Sequence, residues 1–156
     1  MYQYPEENRF PKRKYPRLKE YDYTQKNFYF ITICTDQKKC IFGAPGLLNP
    51  YGEIAEKMLK NIDKHFSGIR LDKYVIMPNH IHAIFEVFED GSNLINAVGL
   101  FKSTVTKKIH EINPDMSVWQ RSFHDHVIRD QRSYEKIWNY IETNPLKWEE
   151  DCFYQQ

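Results

Sequence analysis

Two histidines two residues apart, His80 and His82, follow the turn dipeptide Pro78-Asn79, with β-rich runs on either side (Tyr74–Met77 and Ile81–Phe88). In a strand, residues i and i+2 point to the same face, so both imidazoles project together while Ile81 points away. Neutral imidazole is the commonest protein metal ligand, and a strand holds two of them with little ordering cost on binding. The competing reading pairs one imidazole with a carboxylate and leaves the other exposed. Further along, Tyr140 and Asn144 are four apart just before Pro145, hence neighbours on one helical face. Two imidazoles and the side-chain oxygen of Asn144 could hold a divalent ion and leave positions for substrate oxygens. Such an ion acts as a Lewis acid on a scissile phosphate, and Tyr140 could attack that phosphate as a nucleophile. A phenol has a pKa of about 10, so this tyrosine would need help to react at neutral pH.

The elements that must position these groups are legible from periodicity. Phe28–Cys34 is a dense β-branched and aromatic run, expected as a buried central strand. Gly43–Gly52, with Pro45, Asn49 and Pro50, reads as a loop. From Glu53, the positions Ile54, Met58, Leu59, Ile62 and Phe66 fall at helical spacing. Ile69–Met77 and His80–Phe88 form a hairpin. Ser92 or Asn93 caps a second helix, whose stripe is Leu94, Ala97, Val98, Phe101, Val105 and Ile109. Lys102, Thr106, Lys107 and Lys108 fall off that stripe, towards solvent. Asn113-Pro114 ends it. Val118–Ile128 suggests a short edge strand with His124 and His126 on one face, and Gln131 opens a last helix with Tyr134, Ile137, Trp138 and Ile141 as its stripe.

The order is β-α-β-β-α-β with an appended helix that carries the tyrosine. It implies an α+β, ferredoxin-like antiparallel sheet with the first two helices on one face. Ile84 shares the face of His80 and His82, so something must partly cover that face. The last helix is the available cover, which would bring Tyr140 to the histidine pair.

Composition bounds the rest. A chain of 156 residues with 41% hydrophobic, 15% aromatic and 28% charged residues is expected to be one globular domain over 1–156. A net charge of +1 excludes a general polycation, so any nucleic-acid surface must be a local patch. Residues 1–20 offer a candidate for such a patch. This basic arm carries Arg9, Lys12, Arg13, Lys14, Arg17 and Lys19 among Tyr4, Phe10 and Tyr15, and reads as a solvated tail or as a strap along a phosphate backbone. Three cysteines make no paired framework and point to reduced thiols. With no apolar run at the N-terminus, the expectation is a cytoplasmic protein without a membrane partner.

Met77-Pro-Asn-His-Ile-His82 resembles the His-hydrophobe-His signature of the HUH single-tyrosine transposases, and within them the REP-associated tyrosine transposases. Three further stretches agree in order. Arg17–Tyr23 followed by Tyr29–Thr35 resembles the family's first strand. Val118–Arg129 resembles its tryptophan-glutamine and aspartate-histidine segment, and Tyr140-Ile-Glu-Thr-Asn-Pro145 resembles its tyrosine helix.

The resemblance implies a metal-dependent endonuclease and strand transferase for single-stranded DNA folded into hairpins at palindromic repeats. Tyr140 would form a 5′-phosphotyrosine. His80, His82 and Asn144 would hold magnesium or manganese. His126 matches a recurrent family position, as an orienting contact behind the metal or as a DNA contact. DNA contacts are expected from Arg13, Lys14, Arg17 and Lys102, in a monomer or homodimer. Two readings from other classes compete with it: a domesticated module that binds hairpins without cutting them, and a metal-dependent hydrolase of small molecules on the same scaffold.

Overall fold

The computed structural model describes residues 21–155. The arm over residues 1–20, with Arg13, Lys14 and Arg17, lies outside the described residues.

The sheet has four strands: β1 (Asn27–Cys34), β4 (Ile69–Met77), β5 (His80–Val87) and β6 (His124–Ile128), in the order β4-β5-β1-β6. Each neighbouring pair is antiparallel. This is the expected ferredoxin-like α+β order. Its two central strands, β1 and β5, come from distant parts of the chain. Both are almost continuously buried, because each is covered on both faces.

Period two divides the side chains of these strands between two cores. On one face Ile31, Ile33, Ile81, Ala83, Phe85 and Val87 pack beneath α1 (Pro50–Lys60) and α3 (Leu94–His110). On the other face Phe30, Ile84 and Ile128 pack beneath Ile137 and Ile141 of α4 (Gln131–Thr143). The helix needed to cover Ile84 is therefore the tyrosine helix. Tyr134 and Trp138 flank its stripe and are only half-buried. The Lys73 ammonium lies 4.0 Å above the Trp138 ring and also pairs with Glu142, which ties α4 to β4.

The boundaries differ from the sequence expectation in three places. Gly43–Gly52 is not an open loop: β2 (Gly43–Ala44) pairs with β3 (Leu47–Leu48), and α1 begins at Pro50 rather than Glu53. Asn49 is the N-cap, its side chain accepting from the Gly52 N–H at 3.0 Å, and Pro50 takes the first helical position, where its missing N–H is harmless. That helix also breaks at Asn61, and a separate turn, α2 (Ile62–His65), carries Ile62 into the core. Within Val118–Ile128 only the last five residues are strand. Trp119 makes a single bridge to Thr35, and Ser122, at φ 69°, turns the chain before β6. At the second N-cap, Asn93 rather than Ser92 accepts from the Asn96 N–H, at 3.0 Å.

Among the described residues no helix is long and apolar enough to cross a membrane.

Because Ile84 lies wholly buried between Phe30 and α4, replacing it by Ala should cost about 2–5 kcal/mol. Urea unfolding of the two proteins measures the difference. A loss under 1 kcal/mol would mean that α4 does not depend on this contact.

Candidate active site

The hairpin register places the histidine pair. In β5, His80 lies opposite Cys34 of β1 and His82 opposite Thr32, so the two imidazoles stand one pleat apart on the α4 face, with ring centroids 4.6 Å apart. His80 is fully buried and His82 nearly so.

Hydrogen bonds to the inner nitrogens orient both rings. The Asn79 amide donates from Nδ2 to the carbonyls of Lys38 (3.0 Å) and Phe153 (2.7 Å), so its Oδ1 is left to accept. The group it accepts from is His80 Nδ1–H, at 2.8 Å. With the proton on Nδ1, His80 Nε2 presents a lone pair. His82 Nδ1 pairs with the Thr32 hydroxyl at 2.9 Å, and its Nε2 faces the Tyr140 hydroxyl at 3.4 Å. Tyr140, six residues beyond Tyr134 on α4, leans over the His82 ring at 5.2 Å, with Phe30 at 6.4 Å completing the wall.

The segment after α4 closes the other side. A 3-10 stretch (Asn144–Glu150) starts at Asn144, which is buried one turn beyond Tyr140. It brings Trp148 to 6.1 Å from the His80 ring, and Phe153 then lies against the same ring at 4.5 Å. Between them comes Asp151, whose Oδ1 accepts from the Phe153 N–H at 2.8 Å and whose Oδ2 points to His80 Nε2 at 3.7 Å. Sequence reasoning missed Asp151. One acidic residue seven beyond Asn144 in an irregular segment carries no periodic signal, and only the chain's return brings it to the hairpin.

Three buried atoms in this corner, His80 Nε2, Asn144 Oδ1 and Asp151 Oδ2, have no hydrogen-bond partner. All three are acceptors or ligand atoms. Such a cluster is costly unless a cation or a proton satisfies it. One ligand atom from each of His80, His82 and Asp151 lies within 4.8 Å of the others, so the donor set fits a small divalent ion.

The electrostatics agree with that chemistry. Burial pushes His82 down to about 3. It also holds His80 well below the ordinary histidine value, with His82 adding to the effect and Asn144 opposing it. Both imidazoles are therefore neutral, the form that binds metal. Burial raises Asp151, against the Phe153 N–H and the Asn144 and Cys152 side chains.

The other candidates lie elsewhere. His126 shares the α4 face but sits on β6 opposite Phe30, which separates it from Ile84. Lys102 is half-buried rather than simply solvated as its place on the helix suggested. Its ammonium donates to the carbonyls of Gln120 and Ser122, each at 2.8 Å, because the chain before β6 folds back over α3. It belongs to an open groove of about 720 Å³ lined by Gly99, Lys102, Ser103, Thr106, Lys107, His110 and Trp119. That groove lies on α3, across the sheet from the histidines.

Residues 23–144 match the family described as "Transposase IS200 like", a span that holds all four sheet strands, both histidines and Tyr140. The chain belongs to the IS200-like transposases. A Haemophilus influenzae protein of uncharacterised function is 36% identical over 167 aligned positions, covering 91% of this chain and 93% of that protein. A second protein of that organism, provisionally named a REP-associated tyrosine transposase, is 24% identical over 136 positions, covering 81% of this chain and 74% of its own length.

Two solved structures share the fold. One is a REP-associated tyrosine transposase bound to a REP hairpin (TM-score 0.66, 19% identity, 83% of this chain and 74% of that one). The other is a Deinococcus radiodurans protein provisionally described as a transposase (TM-score 0.53, 17% identity, 81% and 95%). The resemblance to REP-associated tyrosine transposases drawn from the four motifs is thus matched at the level of family and fold. Membership places this chain among the proteins of DNA transposition.

The buried imidazoles set a pH dependence. In the unfolded chain a histidine takes up its proton near pH 6.5, whereas folded His82 does so only near 3. The unfolded state thus binds more protons below pH 6.5, and stability present above that pH is lost as the pH falls towards 3. His82 contributes about 1.4 kcal/mol per pH unit in this window, and His80, also held low by burial, acts in the same direction. Asp151 acts in the opposite direction, because burial makes its carboxylate take up a proton at higher pH in the folded state than in the unfolded one. Urea unfolding between pH 7 and 5, with chelator present, should show this slope, and His82→Gln should remove roughly half of it. A profile that His82→Gln leaves unchanged would show that His82 is not held neutral by the fold.

Proposed function

We propose that this chain is a metal-dependent single-stranded DNA endonuclease and strand transferase that acts through a 5′-phosphotyrosine at sites bearing hairpins. The observation that carries this reading is the Tyr140 hydroxyl 3.4 Å from His82, beside a corner of unpartnered buried ligand atoms, on an IS200-like framework. A structural tyrosine explains neither the buried ligand atoms nor the family, and a metal site for small molecules explains the ligand atoms but not the family.

His80, His82 and Asn144 would hold magnesium or manganese, which when bound supplies Lewis acidity and offsets charge on the scissile phosphate. The chain's own residues do the rest. Asn79 and Thr32 fix the imidazoles, so the ligand nitrogens are pre-oriented at little entropic cost. Helix α4 is pinned by Ile137 and Ile141, which holds the Tyr140 hydroxyl at the edge of this corner.

In the step itself the Tyr140 oxygen forms a bond to phosphorus and the bond from phosphorus to the 3′ oxygen breaks. The phenolic proton is given up to solvent and the departing 3′ oxygen takes one up. The phosphotyrosine conserves the phosphodiester bond energy, so a second 3′-hydroxyl can attack it and release the tyrosine.

The partner is single-stranded DNA folded at palindromic repeats, in keeping with the hairpin-bound structure whose fold this chain shares. Arg13, Lys14, Arg17 and the α3 groove around Lys102 and Lys107 would contact phosphates, and His126 would orient the site or touch DNA. The whole chain would act as one domain, as a monomer or homodimer, in the cytoplasm.

Incubation with manganese and single-stranded DNA from the flanks of its own gene should yield a protein–DNA adduct on a denaturing gel. The adduct should vanish with chelator and with Tyr140→Phe, while Tyr140→Phe still binds the hairpin. An undiminished adduct from Tyr140→Phe would overturn the nucleophile, and hairpin binding without any adduct would leave a non-cutting binder. Removing charge at Arg13, Lys14 and Arg17 together should lower the salt dependence of hairpin binding by about two to three in log–log slope. An unchanged slope would mean that the arm is merely solvated.

A further inference from the structure

We propose that Asp151 is a further protein ligand of this metal site, delivered by the segment after α4, and that metal occupancy fastens that segment over the histidine pair. The proposal rests on the metal-dependent reading above and extends it to a residue outside the matched family span, which ends at residue 144.

Three observations carry it. The first is a pair of buried, facing atoms that no hydrogen bond joins. Asn79 donates to two carbonyls and must accept from His80 Nδ1–H, which commits the single proton of neutral His80 to the inner nitrogen. His80 Nε2 and Asp151 Oδ2 then face each other with their side chains 0% and 1% exposed, at 3.7 Å, too far apart for a hydrogen bond. Two donors each about 2.1 Å from a shared ion lie at most about 4.2 Å apart, so at 3.7 Å one ion can reach both.

The second observation is orientation. The Phe153 N–H holds Oδ1 at 2.8 Å, so Oδ2 is aimed by the local turn rather than left to rotate. Asn144 Oδ1 is buried and unpartnered in the same corner.

The third is that the segment docks through contacts of its own. Phe153 lies on the His80 ring, its carbonyl accepts from Asn79 Nδ2, and Lys38 lies 5.3 Å above its ring. Asn79 therefore sets the His80 proton and holds the ligand-bearing segment with the same carboxamide. A carboxylate brought this deep without a cation costs the fold free energy, and a shared ion removes that cost.

The test is manganese binding by titration calorimetry to the full chain stripped of metal, combined with hydrogen exchange at residues 148–155. Asp151→Asn keeps an oxygen for the Phe153 N–H but removes the charge. It should bind manganese at least roughly tenfold more weakly than the unaltered protein, while His80→Ala abolishes binding. Manganese should slow exchange in the segment of the unaltered protein and not in Asp151→Asn. Asp151→Glu, which retains the carboxylate, should recover part of both effects. This recovery separates loss of a ligand from loosening of the segment.

Equal affinity in Asp151→Asn, with His80→Ala still defective, would overturn Asp151 as a ligand and leave the metal reading intact. Affinity lost in Asp151→Asn but not regained in Asp151→Glu, with no protection of the segment by manganese, would also overturn it. No manganese binding that depends on His80 would overturn both.

Discussion

The site depends on one hydrogen bond, from His80 Nδ1–H to Asn79 Oδ1. Asn79 can accept there because its Nδ2 is already committed to two carbonyls, one in the strand-following turn at Lys38 and one in the far C-terminal segment at Phe153. This leaves His80 Nε2 without a proton and buried, facing Asn144 and Asp151 atoms that also accept. Such a corner would be stabilised by positive charge. The strain of that arrangement is offset by the hydrophobic frame, because β5 is central in the sheet and covered on both faces.

That frame explains why the corner is held in place. Alternation along β1 and β5 sends one set of side chains to the core under α1 and α3 and the other to a smaller core under α4. Among the described residues the second core holds five buried apolar side chains, and the imidazoles sit at its end. Ile84, Ile137 and Ile141 thus set the height of α4 above the sheet, and with it the distance between Tyr140 and His82. The polar pair is stabilised through its orienting hydrogen bonds, and the apolar contacts supply the adhesion.

Much of this was legible in the chain because it repeats at the spacing of its own secondary structure. The apolar run at Phe28–Cys34, the helical stripes and the His-x-His spacing each follow a local period, so the order of elements and the face shared by His80, His82 and Ile84 could be read directly. The loop that proved to be a small hairpin, the early start of α1 at Pro50 and the shortened β6 were not legible. There, capping by Asn49 and the positive φ of Ser122 outweighed pattern. Lys102 was misplaced for a related reason: helical position assigns a side chain to a face but cannot foresee a loop from 18 residues further on folding over it.

By itself, then, the sequence determined the fold class, the two faces of the sheet and the family, because these rest on periodicity and on motifs contiguous in the chain. Only the tertiary structure decided which nitrogen of His80 is bare, that Tyr140 meets His82 rather than His80, and that Asp151 joins the corner. Each of these joins residues far apart in the chain: Asn79 to Phe153, His82 to Tyr140, His80 to Asp151. Contacts at such separations are set by how whole elements pack, and local spacing along the chain carries no trace of them.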